Sequence, residues 1–243
     1  MSLEVVNIAL RYDAVFYDLD GTLVDSRPGI EASLRAAFAI HAPGAEPPAL
    51  ETLLGRPLAG LLRGALPGLD RAVLPAVAAT FTEHYDAQGW RLSRPYPGVR
   101  AALRQLAAAG VHQAVVTNKR RLPALAILAA FELEPCIEGL YTPDSVRPSY
   151  PDKVAMARAA RAARAAPGSR LLVIGDSVED RQMAAACNAS FAAATYGYGD
   201  AVAATGNRRA APAVASVAAD FVLDSAAGIV ALVLAADGPR SNA

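Results

Sequence analysis

Two carboxylates spaced two residues apart, Asp18 and Asp20, close the apolar run Ala14-Val15-Phe16-Tyr17 and are followed by Gly21-Thr22. A run rich in β-branched and aromatic residues that ends at Asp-Gly predicts a buried strand entering a sharp turn. On an extended strand, side chains at i and i+2 share a face, so both carboxylates would emerge together at its C-terminal end. Carboxylates crowded in this way repel unless a cation or a shared proton relieves them. The pair therefore asks for a metal, an acid/base division of labour, or both. The same residues also suit a solvated turn, because Asp bonds its own backbone and Gly accepts positive φ.

Two further segments bring polar groups to the ends of strand-like runs. Val115-Val116 leads into Thr117-Asn118-Lys119, where a hydroxyl could donate to a phosphoryl oxygen or simply cap a turn. Leu171-Leu172-Val173-Ile174 leads into Gly175-Asp176-Ser177-Val178-Glu179-Asp180. Asp176 stands at the strand end, and Asp180 falls one helical turn later on the same face. Oxygen donors of this kind suit Mg2+, while Ser177-x-x-Asp180 also has the form of a capping box that starts a helix. Lysine is scarce: of the 23 basic residues only Lys119 and Lys153 are lysines, and the other 21 are arginines. A compact ammonium differs chemically from a planar guanidinium fork. Lysines that persist against such a background point to a role for at least one of them.

Periodicity supplies the elements that must position these groups. Strand-like runs recur at residues 14–18, 113–117, 171–175, 190–195 and 220–223, and helical patterns at 99–109, 122–131, 153–165, 179–187 and 226–234. This alternation predicts βαβ units and a parallel sheet with helices on both faces, whose strand C-termini form the ligand-binding edge. Residues from about 25 to 96 show no convincing strand. Ile30, Leu34, Ala37 and Phe38 recur at helical spacing after the start signals Ser26 and Pro28, and helical stretches follow at 50–54, 58–66 and 71–88. The expected organisation is an α/β core of residues 1–24 and 96–243 with an all-helical domain of residues 25–95 inserted after the first strand. Such an insert can close over a site as a lid.

Bulk properties bound the function. A chain of 243 residues, 53% hydrophobic and 19% charged, suits a globular protein with one large domain or a core carrying an insertion. Acidic and basic residues balance at 23 each, so no basic stripe recommends nucleic acid. Cys136 and Cys187 are too few for a disulfide framework, which fits a reducing cytoplasm. No signal peptide and no membrane-spanning run is evident, so a cytoplasmic protein is expected. His41, His84 and His112 show no metal-ligand spacing and read as helix-surface or loop residues.

The order Asp18-x-Asp20-Gly21-Thr22, then Thr117-Asn118, then Lys153, then Gly175-Asp176-Ser177-x-x-Asp180 resembles the haloacid dehalogenase superfamily of phosphohydrolases. The likeness runs from about residue 13 to residue 225. The segment from Gly175 through Thr195-Tyr196-Gly197-Tyr198-Gly199 is similar to phosphoglycolate phosphatases. The resemblance implies an α/β, doubly wound, Rossmann-like core with a helical cap. It implies Asp18 as the nucleophile and Asp20 as the general acid and base, with Thr117 and Lys153 completing the catalytic set. Gly21, Thr117, Asn118, Lys153 and Arg56 would contact the phosphoryl group or the rest of the substrate. Mg2+ would be held by Asp18, the main-chain carbonyl of Asp20 and Asp176, with Asp180 bound directly or orienting its waters. The family's lysine commonly precedes proline, whereas this chain has Arg147-Pro148 there; Lys153 takes the position seen in other relatives, with Arg147 as the fallback. Lys119 is expected to support the site or the substrate rather than the chemistry, and Asn188 to stand in for a helix-ending glycine.

The activity implied is Mg2+-dependent hydrolysis of a small phosphorylated metabolite, with 2-phosphoglycolate as the named substrate, by a monomer or homodimer. Asp20 separates this reading from the dehalogenase branch, which lacks a general acid there. A phosphomutase resembling β-phosphoglucomutase, or a binding protein on a retired scaffold, are the alternatives.

Overall fold

The computed structural model describes residues 10–47, 72–166, 168–198 and 219–234. Its centre is β1 (Ala14–Tyr17), every residue of which is buried. Ala14 and Phe16 face one apolar cluster while Val15 and Tyr17 face the other, as the two-residue period of a strand demands. A strand covered on both faces reads as a continuous apolar run rather than an alternating one.

Parallel strands flank β1 on both sides: β4 (His112–Val116) and β5 (Gly139–Tyr141) on one, β6 (Leu171–Gly175), β7 (Ser190–Ala194) and β8 (Phe221–Leu223) on the other. The order is β5-β4-β1-β6-β7-β8. The chain builds outward from β1 to β5, then returns to the other side of β1 at β6. This reversal makes the C-terminal end of β1 the switch point at which open α/β sheets bind ligands. Helices α3 (Val99–Ala108), α4 (Arg121–Ala130) and α7 (Gly228–Leu234) cover one face through Leu103, Ile127 and Ile229. Helices α5 (Lys153–Arg164) and α6 (Val178–Ala186) cover the other through Met156 and Met183.

Between β1 and α3 lie the insert helices α1 (Arg27–His41) and α2 (Leu74–Ala87). They have an apolar cluster of their own, built from Leu34, Ala37, Phe38, Leu74 and Val77. The chain leaves and re-enters the α/β unit through two short antiparallel strands, β2 (Val24–Asp25) and β3 (Arg94–Pro95), paired Val24 to Pro95 and Asp25 to Arg94.

The five expected strands are present. Two features differ from the sequence reading. β5 was not expected; it is three residues long, contains a glycine and is only half-buried, so it carries no periodic signal. The stretch read as strand-free is bounded by the β2–β3 pair, whose two-residue strands are too short to leave a pattern. The start signals of α1 also work differently: Ser26 makes no side-chain cap, and the carboxylate of Asp25 instead accepts from the Arg27 amide at 3.0 Å. Of the expected insert helices, those at 50–54 and 58–66 lie outside the described residues, and the third is observed as α2.

One buried polar link ties β1 to β4. The Tyr17 hydroxyl donates to Gln113 Oε1 at 2.9 Å, and Gln113 Nε2 donates to the Leu103 carbonyl at 2.9 Å and the Cys136 carbonyl at 3.3 Å. Burial pushes the Tyr17 phenol far above its ordinary pKa, so it remains a donor. Tyr17→Phe strands a buried amide oxygen, at a cost of about 1–3 kcal/mol. Thermal melting should show a drop of several degrees for this variant, and the double variant Tyr17→Phe/Gln113→Met should cost less than the two singles added. Strict additivity would show that the pair is not coupled.

Candidate active site

The groups singled out in the sequence converge at the C-terminal edge of the sheet. Asp18 directly follows β1, and its amide donates to the Ile174 carbonyl at 3.0 Å, prolonging the β1–β6 pairing by one residue. Thr117 follows β4, its amide bonded to the Tyr141 carbonyl at 3.0 Å. Asp176 follows β6, and Asp180 lies in the first turn of α6. Asp18, Thr117, Asp176 and Asp180 are all buried.

Asp18, Asp176 and Asp180 each offer a carboxylate oxygen within 4.8 Å of the others. Among the described residues one cation enters this group: Lys153 Nζ lies 2.7 Å from Asp18 Oδ1 and 2.7 Å from Asp180 Oδ1, with its side chain 5% exposed. Burial disfavours the Lys153 ammonium, but Asp18 and Asp180 outweigh this and hold its pKa well above the usual lysine value. Three carboxylates against one ammonium leave negative charge uncompensated. Burial, followed by the charge of Asp180 and Asp20, lifts Asp18 to about 7 despite Lys153. Burial and the charges of Asp18 and Asp180 lift Asp176 to about 8. A hard divalent cation would relieve both, and an all-oxygen donor set is the one such ions prefer.

Asp180 serves two purposes with its two oxygens. Oδ2 accepts from the Ser177 amide at 3.0 Å and the Ser177 hydroxyl at 2.6 Å, while Ser177 Oγ accepts from the Asp180 amide at 3.2 Å. This is a complete capping box. Oδ1 faces Lys153. The capping reading of Ser177-x-x-Asp180 holds, and the second Asp180 oxygen is left to face the carboxylate group.

Asp20 stands apart from the three-carboxylate group. Lys119 Nζ lies 2.9 Å from both Asp20 oxygens, and the Ser26 hydroxyl also donates to Oδ1. Each of the two lysines to which scarcity drew notice sits against an acid of the first Asp-x-Asp pair. Arg147, the fallback for Lys153, is exposed on the loop after β5. Asn118 donates from Nδ2 to Glu179, and the Thr117 hydroxyl accepts from the Lys119 amide at 3.2 Å. Arg56 lies outside the described residues. Asn188 takes positive φ, +48°, as expected of a helix-ending residue. Each of the three histidines is engaged by a neighbour, Thr80 for His41, Ser33 for His84 and Glu138 for His112.

The turn carrying Asp20 is locked by a loop whose part the residue pattern alone did not disclose. Gly21 has φ +85°, and a β-carbon there would overlap the Asp176 carboxylate and the Tyr198 ring. Gly197 presses against the Gly21 carbonyl so closely that only glycine fits. From the same loop the Tyr198 amide donates to Asp176 Oδ2 at 2.9 Å, and the Tyr196 hydroxyl donates to the Thr22 carbonyl at 3.0 Å. Tyr198 Oη in turn accepts from the Ser26 amide at 2.7 Å. The Tyr-Gly-Tyr spacing was the available signal; its partners Thr22 and Ser26, more than 170 residues earlier, were not.

A model of the haloacid dehalogenase-like hydrolases matches residues 12–188. The chain belongs to this family. Within it, the chain is 34% identical over 197 residues to a phosphoglycolate phosphatase of Cereibacter sphaeroides, covering 76% of this chain and 85% of that one. It is 35% identical over 188 residues to the tyrosine-protein kinase PtkA of Mycobacterium tuberculosis, covering 76% of this chain and 62% of that one. Among solved structures, a haloacid dehalogenase-like hydrolase of Streptococcus pneumoniae superimposes with a TM-score of 0.75 at 22% identity, over 90% of this chain and 97% of that one. This last likeness shows the shared fold. No helix among the described residues is long and apolar enough to cross a membrane.

The raised carboxyl groups fix how stability of this family member depends on pH without metal. Asp18 and Asp176 keep protons in the fold that the unfolded chain releases near its ordinary value of 3.8. Their contribution is complete below about 4 and is lost as pH rises through about 7 to 8. Lys153 is held above its own ordinary value and contributes throughout this window. In EDTA the melting temperature should therefore fall between pH 5 and pH 8 by several degrees. A rise over that range would show that both carboxyls ionise normally.

Proposed function

We propose that this chain is a Mg2+-dependent phosphomonoester hydrolase of the cytoplasm, acting on a small phosphorylated metabolite, with 2-phosphoglycolate as the substrate of choice. The observation that carries the reading is the division of the Asp-x-Asp pair. Asp18 lies in the buried carboxylate group with Lys153 against it, while Asp20, two residues on, is held apart by Lys119 and Ser26. Two carboxylates placed in different surroundings are suited to different tasks.

Asp18 attacks phosphorus with one carboxylate oxygen, the bond from phosphorus to the ester oxygen breaks, and an aspartyl-phosphate forms. Asp20 gives a proton to the departing alkoxide, then takes one from the water that hydrolyses the acyl phosphate. Lys153, fixed by α5 and two carboxylates, balances charge on the transferring oxygens, and the Thr117 hydroxyl offers a donor to them, while the Gly21 amide, bonded to the Val24 carbonyl at 2.8 Å, holds the turn that carries Asp20. Asn118, hydrogen-bonded to Glu179, lines the same strand edge. Asp18, Asp176, Asp180 and the Asp20 carbonyl would hold Mg2+. The metal supplies neutralisation of phosphoryl charge and of the crowded carboxylates. Residues 25–95 act in this reading as a cap over the core of residues 1–24 and 96–243, with Arg56 available to a substrate carboxylate.

Support for the substrate comes from the phosphoglycolate phosphatase of Cereibacter sphaeroides, which matches across most of its own length. The test is phosphate release from a panel of phosphorylated metabolites, phosphoglycolate and sugar phosphates included, with Mg2+ and with EDTA. Turnover should require Mg2+ and fall to background in Asp18→Asn, with the folded protein still present by circular dichroism. Because one relative is named as a tyrosine kinase, ATP with a tyrosine-containing protein acceptor belongs in the panel. Acceptor phosphorylation in place of phosphate release would overturn the hydrolase reading.

A further inference from the structure

Lys119 is the charged group in the site that the proposed chemistry leaves without a task. Its side chain is 6% exposed, and its ammonium spans the two oxygens of Asp20 at 2.9 Å each. Burial disfavours that ammonium, but Asp20 and then Tyr85 hold its pKa above the usual lysine value. It is therefore a fixed positive charge placed against the acid expected to move protons.

The other side of the ammonium is covered by the insert. Lys119 Nζ lies 4.5 Å from the ring centroid of Tyr85, in the last turn of α2. Tyr85 is itself buried, with its ring stacked on Phe81 at 5.7 Å and packed beside Gly29 and Gly89. The next residue of each element repeats the link: the Arg120 guanidinium grips both oxygens of Asp86, at 2.7 Å for Nη1. Consecutive residues of the loop after β4 thus hold consecutive residues of α2, while the first of them also holds Asp20. A two-point guanidinium–carboxylate contact adds geometric specificity to this docking.

From this juxtaposition we propose that Lys119 is a positioning residue for Asp20, and that its grip depends on α2 being docked. The inference rests on the hydrolase reading, because it presumes that Asp20 delivers a proton. Its physical basis is the dielectric dependence of an ion pair. Covered by Tyr85, the pair sits in a low-dielectric pocket and holds the carboxylate in one orientation. With α2 withdrawn, water reaches the ammonium, and the attraction weakens several-fold. The proton donor is then correctly aimed only when the insert is seated, which joins chemistry to enclosure of the substrate.

The experiment exploits the leaving group. In forming the aspartyl-phosphate, an alkyl ester must expel an alkoxide and needs the proton of Asp20, whereas p-nitrophenyl phosphate expels a stable phenolate without one. Single-turnover rates of aspartyl-phosphate formation would be compared for p-nitrophenyl phosphate and for the alkyl phosphate that the wild-type protein turns over fastest. Lys119→Met should slow the alkyl ester about 30- to 100-fold, a large part of what a general acid supplies, and the aryl ester less than about 5-fold. Tyr85→Leu and Asp86→Asn should show the same selectivity at smaller size. Equal slowing of both esters by Lys119→Met, or slowing of neither, overturns the positioning role. If Lys119→Met does not fold, the two insert variants decide, and an unchanged alkyl-to-aryl ratio in both overturns the proposal. A wild-type protein that releases phosphate from neither ester overturns the hydrolase reading itself, a result distinct from any variant effect.

Discussion

Confinement of like charge at one edge of a sheet is the constraint on which the rest of this structure depends. Strand order alone brings Asp18, Thr117 and Asp176 together, because β4, β1 and β6 are adjacent and parallel and their ends lie within one residue of the same level. Carboxylates in such a place are destabilising unless they are compensated. The compensation is divided. Lys153 stands between Asp18 and Asp180, and Lys119 stands on Asp20. The central strands supply apolar burial on both faces, and that burial holds the charged edge in one arrangement.

The same constraint explains where small residues and aromatic hydroxyls were needed. Two backbones must approach each other for the loop at Tyr196–Tyr198 to reach the turn at Gly21, and each side of that approach is a glycine. The loop then provides a donor from its Tyr198 amide to Asp176 and phenol contacts to Ser26 and Thr22. Ser26 illustrates how tertiary structure can override a local rule. Its type and position mark a helix start, yet its hydroxyl is spent on Asp20, and the capping falls to Asp25. Asp180 shows the reverse, a residue that satisfies the local rule with one oxygen and the site with the other.

Much of this was legible in the chain because the core strands are buried on both faces and end at chemically loud residues. The five expected strands and the helices between them follow from periodicity, as does the convergence of their C-terminal ends. β5 was not legible, because it opens on a glycine and is only half-buried throughout, and the β2–β3 pair was not, because two residues cannot display a period. Lysine scarcity drew notice to Lys119 and Lys153 but could not name their partners. Lys119 and Asp20 are 99 positions apart, and only the register between β1 and β4 brings them together. The partnership of Arg120 with Asp86 was equally hidden, since on the surface of a chain with 21 arginines one more ion pair has no signature.

The two lysines are not equivalent, and the difference lies in what surrounds them. Lys153 opens α5, and its carboxylate partners directly follow β1 and lie in the first turn of α6, so among the described residues its ion pairs belong to the α/β unit. Charge balance at Asp18 accordingly rests on that unit. Lys119 has one partner in the α/β unit and an aromatic cover from the insert. Charge balance at Asp20 therefore depends on two bodies joined by short strands at the β2–β3 neck. In the proposed mechanism the nucleophile must be ready before substrate arrives, whereas proton delivery matters only once the leaving group is enclosed. Separating the two cations between a fixed frame and a shared boundary would give each carboxylate the kind of support its proposed task requires.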